Sequence, residues 1–426
     1  MRIAIAGYGL EGESNYRYWA ADDSNELTIV DQRQPDRELP SGTKVIIGDD
    51  ATEHLYGFDM VIRTAGLAPR KIRTDGKVWS ATNEFFAKCP APIIGVTGSK
   101  GKGTTASLIA SILERSGRNV WLLGNIGVPS LDVLGDIQQS DIVVYELSSF
   151  QLWDLEKSPH IAVVLFIEQE HLDVHMDMNE YVAAKANITR YQGEGDILVY
   201  NQGNEYAKSI ASGSGAQLIG YPDMTTAHVA DGSFYYGEQI ICSTDTLQLV
   251  GEFNQYNACA AIDAIWSFTD DTDIITAGLA AFTGLPHRLQ FVREVGDVRY
   301  YDDSIATTPT AAIAALRSFE QPKVIILGGS SKGSDFTELG KELTRHDVQA
   351  ILIGAEAENI AAVCKAAGFS GFEIMDEPTM PKIVARAQKL SKSGGVVLLS
   401  PSSASFGLFK NYADRGEQFV AAVNAL

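Results

Sequence analysis

Gly95-Val-Thr-Gly98-Ser-Lys-Gly101-Lys102-Gly-Thr-Thr105 is the stretch from which the rest of this chain is read. It follows the apolar pair Ile93-Ile94 and opens into residues 106–113, Ala-Ser-Leu-Ile-Ala-Ser-Ile-Leu, whose composition predicts a helix. A strand, a glycine-rich turn and a helix start make an anion site. Glycine lets backbone N–H groups approach phosphate oxygens, and the helix dipole favours negative charge there. The run predicts an ATP site built from Gly98, Ser99, Lys100, Gly101, Lys102, Gly103, Thr104 and Thr105. Lys102 would carry charge to the outer phosphates, and Thr104 or Thr105 would offer a hydroxyl to Mg²⁺. The loop is shorter than G-x-x-x-x-G-K, and Gly103 stands where Ser or Thr usually follows the lysine.

At 426 residues the chain is too long for one ordinary core. Hydrophobic residues make up 45% and the formal net charge is −20. That composition predicts a soluble protein that binds neither nucleic acid nor an acidic membrane surface. The four cysteines show no metal or redox spacing, which predicts a reduced, cytoplasmic setting.

The first ninety residues read as a small α/β unit. Residues 2–6 predict a strand, Gly7-Tyr-Gly9-Leu10-Glu11-Gly12 is a GxGxxG, residues 13–21 predict a helix, and residues 27–30 predict a second strand ending at Asp31. An acid about twenty residues after the glycines completes a dinucleotide-binding pattern. NAD or another nucleotide diphosphate would suit it. Glu11 and Glu13 would repel a pyrophosphate, which weakens the NAD reading.

In the middle block, residues 141–145 and 161–166 are near-continuous apolar runs, as expected of parallel strands buried on both faces. They end at Glu146 and before His171. Ligands in such sheets sit beyond the carboxyl ends of the strands, so Glu146 is placed as a Mg²⁺ carboxylate and His171 as a second ligand. Spacing alone leaves Lys185, on the helix predicted at 179–188, as a solvated charge. Asn254 and Asn257, one turn apart before an Ala-rich helix at 258–266, suit a base contact or a helix cap. The last block repeats the α/β pattern, with loops at Gly328-Gly-Ser-Ser-Lys332 and Ser400-Pro-Ser-Ser-Ala-Ser405.

Taken in order, these segments resemble the Mur ligase family over the whole chain, most of all its D-glutamate-adding branch. They are Gly98–Thr104, Gly124-Asn-Ile-Gly, Glu146-Leu-Ser-Ser-Phe-Gln-Leu, His171-Leu-Asp, Lys185, Asn254 to Asn257, Pro286-His-Arg, Gly328-Gly-Ser-Ser-Lys-Gly-Ser-Asp-Phe and 400–416. The resemblance implies three α/β domains. They would be a Rossmann-like UDP-sugar domain at 1–90, a P-loop ATPase-like domain at 91–285 and a Rossmann-like amino-acid domain at 286–426.

It also implies roles for individual residues. Lys102, His171, Lys185 and Lys332 would be catalytic. Asn254, Asn257, Arg288 and Asp303 would contact the nucleotide. Gly9, Leu10, Asp31, Arg33, Gly66, Asn125 and Ser148 would meet the UDP substrate. Thr307, Lys332, Ser405, Phe406 and Tyr412 would meet the amino acid. Thr104, Glu146, His171 and a carbamylated Lys185 would hold two Mg²⁺ ions.

The implied reaction joins D-glutamate to UDP-N-acetylmuramoyl-L-alanine through an acyl phosphate, with ATP spent, by a cytoplasmic monomer. Closure of the last domain would exclude water. Ile305 departs from the family pattern, which has a lysine there in many members. Other readings are a related ligase with a different amino acid or acyl acceptor (folylpolyglutamate synthase-like), a dehydrogenase on Gly7–Gly12, and a non-catalytic nucleotide binder.

Overall fold

The computed structural model describes residues 1–426 apart from 126, 127 and 332. The chain forms two compact units. One comprises Met1–Thr246 with Gln255–Phe282, the other Leu247–Asn254 with Thr283–Leu426.

The first unit holds two parallel sheets. In the first, strands run in the order Lys44–Ile47, Glu26–Asp31, Arg2–Ala6, Met60–Arg63, Lys77–Ser80. The order reverses around Arg2–Ala6, a switch point at which such sheets open a crevice. Gly7 leaves this strand at φ +94°, and a Cβ on Gly12 would lie 2.0 Å from the Gly7 carbonyl oxygen. Gly7 is therefore demanded by its left-handed backbone, and Gly12 by the close approach of helix to strand end. The first helix is Leu10–Ala20, beginning three residues before the predicted 13–21 because Gly9 takes the N-cap position. Glu11 thus lies in its first turn.

The second sheet orders Gln217–Tyr221, Ile197–Asn201, Ile161–Val164, Ile93–Thr97, Ile142–Glu146, Val120–Gly124, all parallel. Every residue of Ile93–Thr97, Ile142–Glu146 and Ile161–Val164 is buried. Each such Val or Ile contributes about 1.5–3 kcal/mol, so these strands fix the register of what leaves their ends. The helix Lys102–Arg115 buries Leu108, Ile109, Ile112 and Leu113. It is pinned against the helix Thr272–Ala281, where a Cβ on Gly278 would fall 2.5 Å from Ile112 Cα and where Ser111 donates to the Gly278 carbonyl at 2.8 Å. A small antiparallel sheet, Ala227–Ala230, Ser233–Tyr236 and Gln239–Ser243, completes the unit.

The second unit carries a sheet ordered Gln290–Val295, Val298–Asp302, Val396–Leu399, Lys323–Gly328, Val348–Ile353, Phe372–Ile374. Its first strand is antiparallel and the others are parallel. The architecture is thus the expected α/β class, with three mainly parallel sheets. The asparagine-bearing helix runs Glu252–Ile265 and so begins six residues before the predicted 258.

Candidate functional site

The central strand Ile93–Thr97 delivers the phosphate-loop residues to the carboxyl edge of its sheet. Gly98 and Gly101 adopt φ +156° and +86°. Side chains there would collide with Leu165 Cβ at 2.7 Å and Asn257 Oδ1 at 2.4 Å. Gly101 caps the helix Lys102–Arg115 with no side-chain bond to its first N–H groups, and Thr105 Oγ1 is buried without a hydrogen-bond partner. A cradle that a Cβ would fill, an orphaned hydroxyl and a helix start together fit a phosphate chain. Ser99 is buried and shapes the loop instead, its hydroxyl bonded to Glu168 N and O at 3.0 Å and Tyr181 Oη at 2.9 Å. Lys100 is exposed and pairs with Glu168.

Lys102 Nζ donates to the carbonyls of Gly98 (3.0 Å) and Ser99 (2.8 Å). Lys185 lies on the helix Met178–Ala186 and is 1% exposed, so it is no solvated charge. Its Nζ donates to the same Gly98 carbonyl at 2.8 Å and to Thr97 Oγ1 at 3.4 Å, and sits 4.7 Å from the Tyr181 ring centre. Burial first, and the Lys102 charge second, hold Lys185 well below the ordinary ammonium range. Glu170 and Glu146 oppose this more weakly.

Glu146 ends its strand buried and accepts from Asn125 Nδ2 at 3.3 Å. His171 is exposed at φ +57°, its ring centre 4.9 Å from that of Phe150. Among the described residues no group of three or more His, Cys, Asp or Glu side chains is arranged to hold a metal. The donors that are present, the Glu146 carboxylate and the threonine hydroxyls, are hard oxygens. They fit a Mg²⁺ ion that takes its remaining ligands from phosphates and water.

At the switch point of the first sheet lies a cleft of about 220 Å³ whose lining includes Gly7, Asp31, Thr64, Gly66, Thr52 and Lys71. Asp31 accepts from Tyr8 N at 2.7 Å and Arg33 N at 3.3 Å. Gly9 has open space around it and Leu10 is exposed. Thr52 and Lys71 are cleft residues that sequence reasoning missed. Each sits in a short 3₁₀ turn with no motif to mark it. Glu11 does not face free anion space, because its carboxylate accepts from Ala65 N at 3.0 Å. Glu13 pairs with Arg17 and Arg37. Ser148 is the N-cap of the helix Ser149–Leu152 in a capping box with Gln151. Asn125 bonds Glu146 through both its backbone and its side chain.

In the second unit, Asp303 is buried, accepting from Leu289 N (3.1 Å) and Ser400 Oγ (2.7 Å). Burial, the largest influence, lifts its carboxyl to about 7. Arg288, Phe406 and Tyr412 are exposed, Thr307 is half-buried and Ser405 is buried. Tyr412 accepts from Ser304 Oγ through its carbonyl at 2.7 Å. Arg415 is fully buried and donates to Ser304 Oγ, Ser304 O and Ser403 O at 2.8–3.1 Å. It thereby ties the loop after Leu399 to the loop after Asp302. Asn254 belongs to this unit and donates to the Val250 carbonyl at 2.8 Å, whereas Asn257 belongs to the first. Lys332, and residues 126 and 127 of the Gly124 segment, lie outside the described residues.

The chain as a whole is similar to known proteins. The family model for the Mur ligase middle domain matches residues 96–265, and that for the Mur ligase glutamate ligase domain matches 287–403. The chain belongs to the Mur ligase family and is an ATP-dependent ligase. Among its relatives, the UDP-N-acetylmuramoylalanine–D-glutamate ligase of Clostridium tetani is 36% identical over 452 residues, covering 100% of this chain and 97% of that protein. The enzyme of the same name from Acetivibrio thermocellus is 36% identical over 450 residues, covering 100% and 96%. In fold, the chain is similar to Thermotoga maritima MurF ligase solved with ADP, with a TM-score of 0.60, 19% identity and coverage of 99% and 93%. It is also similar to the UDP-N-acetylmuramate-alanine ligase of that organism, with a TM-score of 0.61, 17% identity and coverage of 100% and 99%.

Proposed function

We propose that this protein joins D-glutamate to the carboxyl group of UDP-N-acetylmuramoyl-L-alanine, with conversion of ATP to ADP and phosphate, in peptidoglycan precursor synthesis. The observation that carries this reading is end-to-end likeness, at 36% identity, to ligases bearing that name. The glycine cradle at Gly98 and Gly101 supplies the physical support.

In this reading the alanyl carboxylate attacks the γ-phosphorus, and the bond to ADP breaks. The glutamate amine then attacks the acyl carbon, loses a proton and expels phosphate. Lys102 and the N–H groups at the start of its helix neutralise charge on the moving phosphoryl group. Thr104, Glu146, His171 and carbamylated Lys185 would hold two Mg²⁺ ions, which when bound disperse the same charge. The cleft at Gly7, Asp31 and Gly66 takes the uridine end, with Gly9, Leu10 and Arg33 beside it. Asn125 and Ser148 meet the muramoyl-alanine end. Asn254, Asn257, Arg288 and Asp303 address the nucleotide. Thr307, Lys332, Ser405, Phe406 and Tyr412 address glutamate. The working divisions are 1–90, 91–285 and 286–426.

A monomer in the cytoplasm is the proposed state. Among the described residues no helix is long and apolar enough to cross a membrane. Phosphate release with ATP, Mg²⁺, the sugar nucleotide and a panel of amino acids tests the reaction. Release that depends on D-glutamate is expected, and release only with another amino acid overturns the assignment.

A further inference from the structure

Arg63 ends the strand Met60–Arg63, and its side chain is fully buried. A buried guanidinium is costly unless its donors are filled. Here they are filled from two sides. Towards the first sheet, Nη1 donates to the carbonyls of Thr64 (3.4 Å), Ala65 (3.2 Å) and Leu67 (3.4 Å). Thr64, Gly66 and Leu67 of that loop line the 220 Å³ cleft.

Towards the second sheet, Nε donates to Asp154 Oδ2 at 2.7 Å. Nη2 bonds the other Asp154 oxygen and the Phe150 carbonyl, the latter at 2.9 Å. The Phe150 ring in turn lies 4.9 Å from His171 and stacks at 8° on His175, with ring centres 5.4 Å apart. His175 is itself buried and held by Ser149 Oγ at 2.9 Å. One guanidinium therefore grips both the cleft loop and the residue on which the His171 ring rests.

We infer that Arg63 is a positioning residue for the ligation. It holds loop 64–67, Phe150 and, through Phe150, His171 in one frame, so that the uridine end and the reacting end of the sugar nucleotide share a register. The inference rests on the function proposed above. Lysine cannot substitute, because a compact ammonium lacks the planar fork that reaches a carboxylate and the loop carbonyls at once.

The test is Arg63→Lys in the full chain. It is read by calorimetric binding of UDP-N-acetylmuramoyl-L-alanine without ATP or metal, by ADP binding, and by kcat. Sugar-nucleotide affinity should fall about tenfold and kcat on the order of 10–100-fold, because small misplacements far from the chemistry are costly. ADP affinity should stay within about twofold, the scatter expected of an uncoupled site. Asp154→Asn, which keeps the shape and removes the charge partner, should give the same pattern more weakly. It carries the test if Arg63→Lys does not fold. Sugar-nucleotide affinity and kcat both near wild type, or ADP affinity falling in step with them, overturns the inference. Wild-type protein that does not bind the sugar nucleotide defeats the functional reading and this inference with it. An active wild type with an unaffected Arg63→Lys defeats the inference alone.

Discussion

Lys102 and Lys185 donate to one and the same oxygen, the Gly98 carbonyl, at 3.0 and 2.8 Å. Two ammonium groups so placed repel, and Lys185 is enclosed as well. Burial and Lys102 therefore favour its neutral amine. A neutral amine attacks the carbon of CO₂ and, on losing a proton, becomes a carbamate, which turns the repulsion by Lys102 into attraction. Lys185→Ala should lose activity that bicarbonate does not restore, whereas CO₂-depleted wild type should regain activity with bicarbonate.

Lys185→Met should be inactive yet at least as stable as CO₂-free wild type. The folded state of wild type binds fewer protons at Lys185 than the unfolded state, from the depressed folded pKa up to the ordinary lysine value of 10.5. Wild-type stability thus rises with pH through that window, and the advantage of Met should be larger at neutral than at alkaline pH. Thermal unfolding against pH checks the sign. A clear loss of stability in Lys185→Met would show that the buried ammonium is stabilising.

Gly101→Ala tests the cradle. At φ +86° a side chain is strained, and its Cβ would sit 2.4 Å from Asn257 Oδ1. Gly117 has a similar φ of +81° but open space around it. Alanine at 117 should cost only the backbone strain, about 1–2 kcal/mol, and leave the KM for ATP unchanged. Alanine at 101 should cost more and raise that KM on the order of tenfold. Equal effects at the two positions would show that the contact with Asn257 is immaterial.

Asp263 on the helix Glu252–Ile265 is buried, with one oxygen accepting from Ala227 N at 2.9 Å and the other without a partner. Burial, the leading cause, raises its carboxyl from 3.8 to about 8. The folded protein therefore holds a proton that the unfolded chain releases, and this contribution to stability is lost as pH rises through that interval. Asp263→Asn keeps the acceptor and removes the titration. Its thermal midpoint should vary less between pH 5 and 8 than that of wild type, and at pH 8 should exceed wild type by roughly 1–2 °C per kcal/mol recovered. An unchanged pH profile would place the sensitivity elsewhere.

Elements with a local signature were legible. The glycine loop, the apolar strands and Asp31 at the end of its strand all stand where local pattern put them. Helix starts were less so. Residues 10–12 and 252–257 carry glycine, acid or asparagine, residues that suit a turn as well as a first helical turn. Local pattern makes Glu11 an acid that would repel a pyrophosphate, but its partner is the Ala65 amide, 54 residues away.

From its order of residues alone the chain declares alternating strands and helices, an anion-binding turn before Lys102, and kinship with the Mur ligases. The first two depend on neighbours a few positions apart, and the third on short motifs recurring in one order along the chain. Folding in three dimensions settled that Lys185 is buried beside Lys102, and that Arg63 clasps Asp154 across 91 positions. Such meetings arise where strand ends converge at a sheet edge. There, burial strips water from charged groups and makes partners out of residues that chain spacing leaves unrelated.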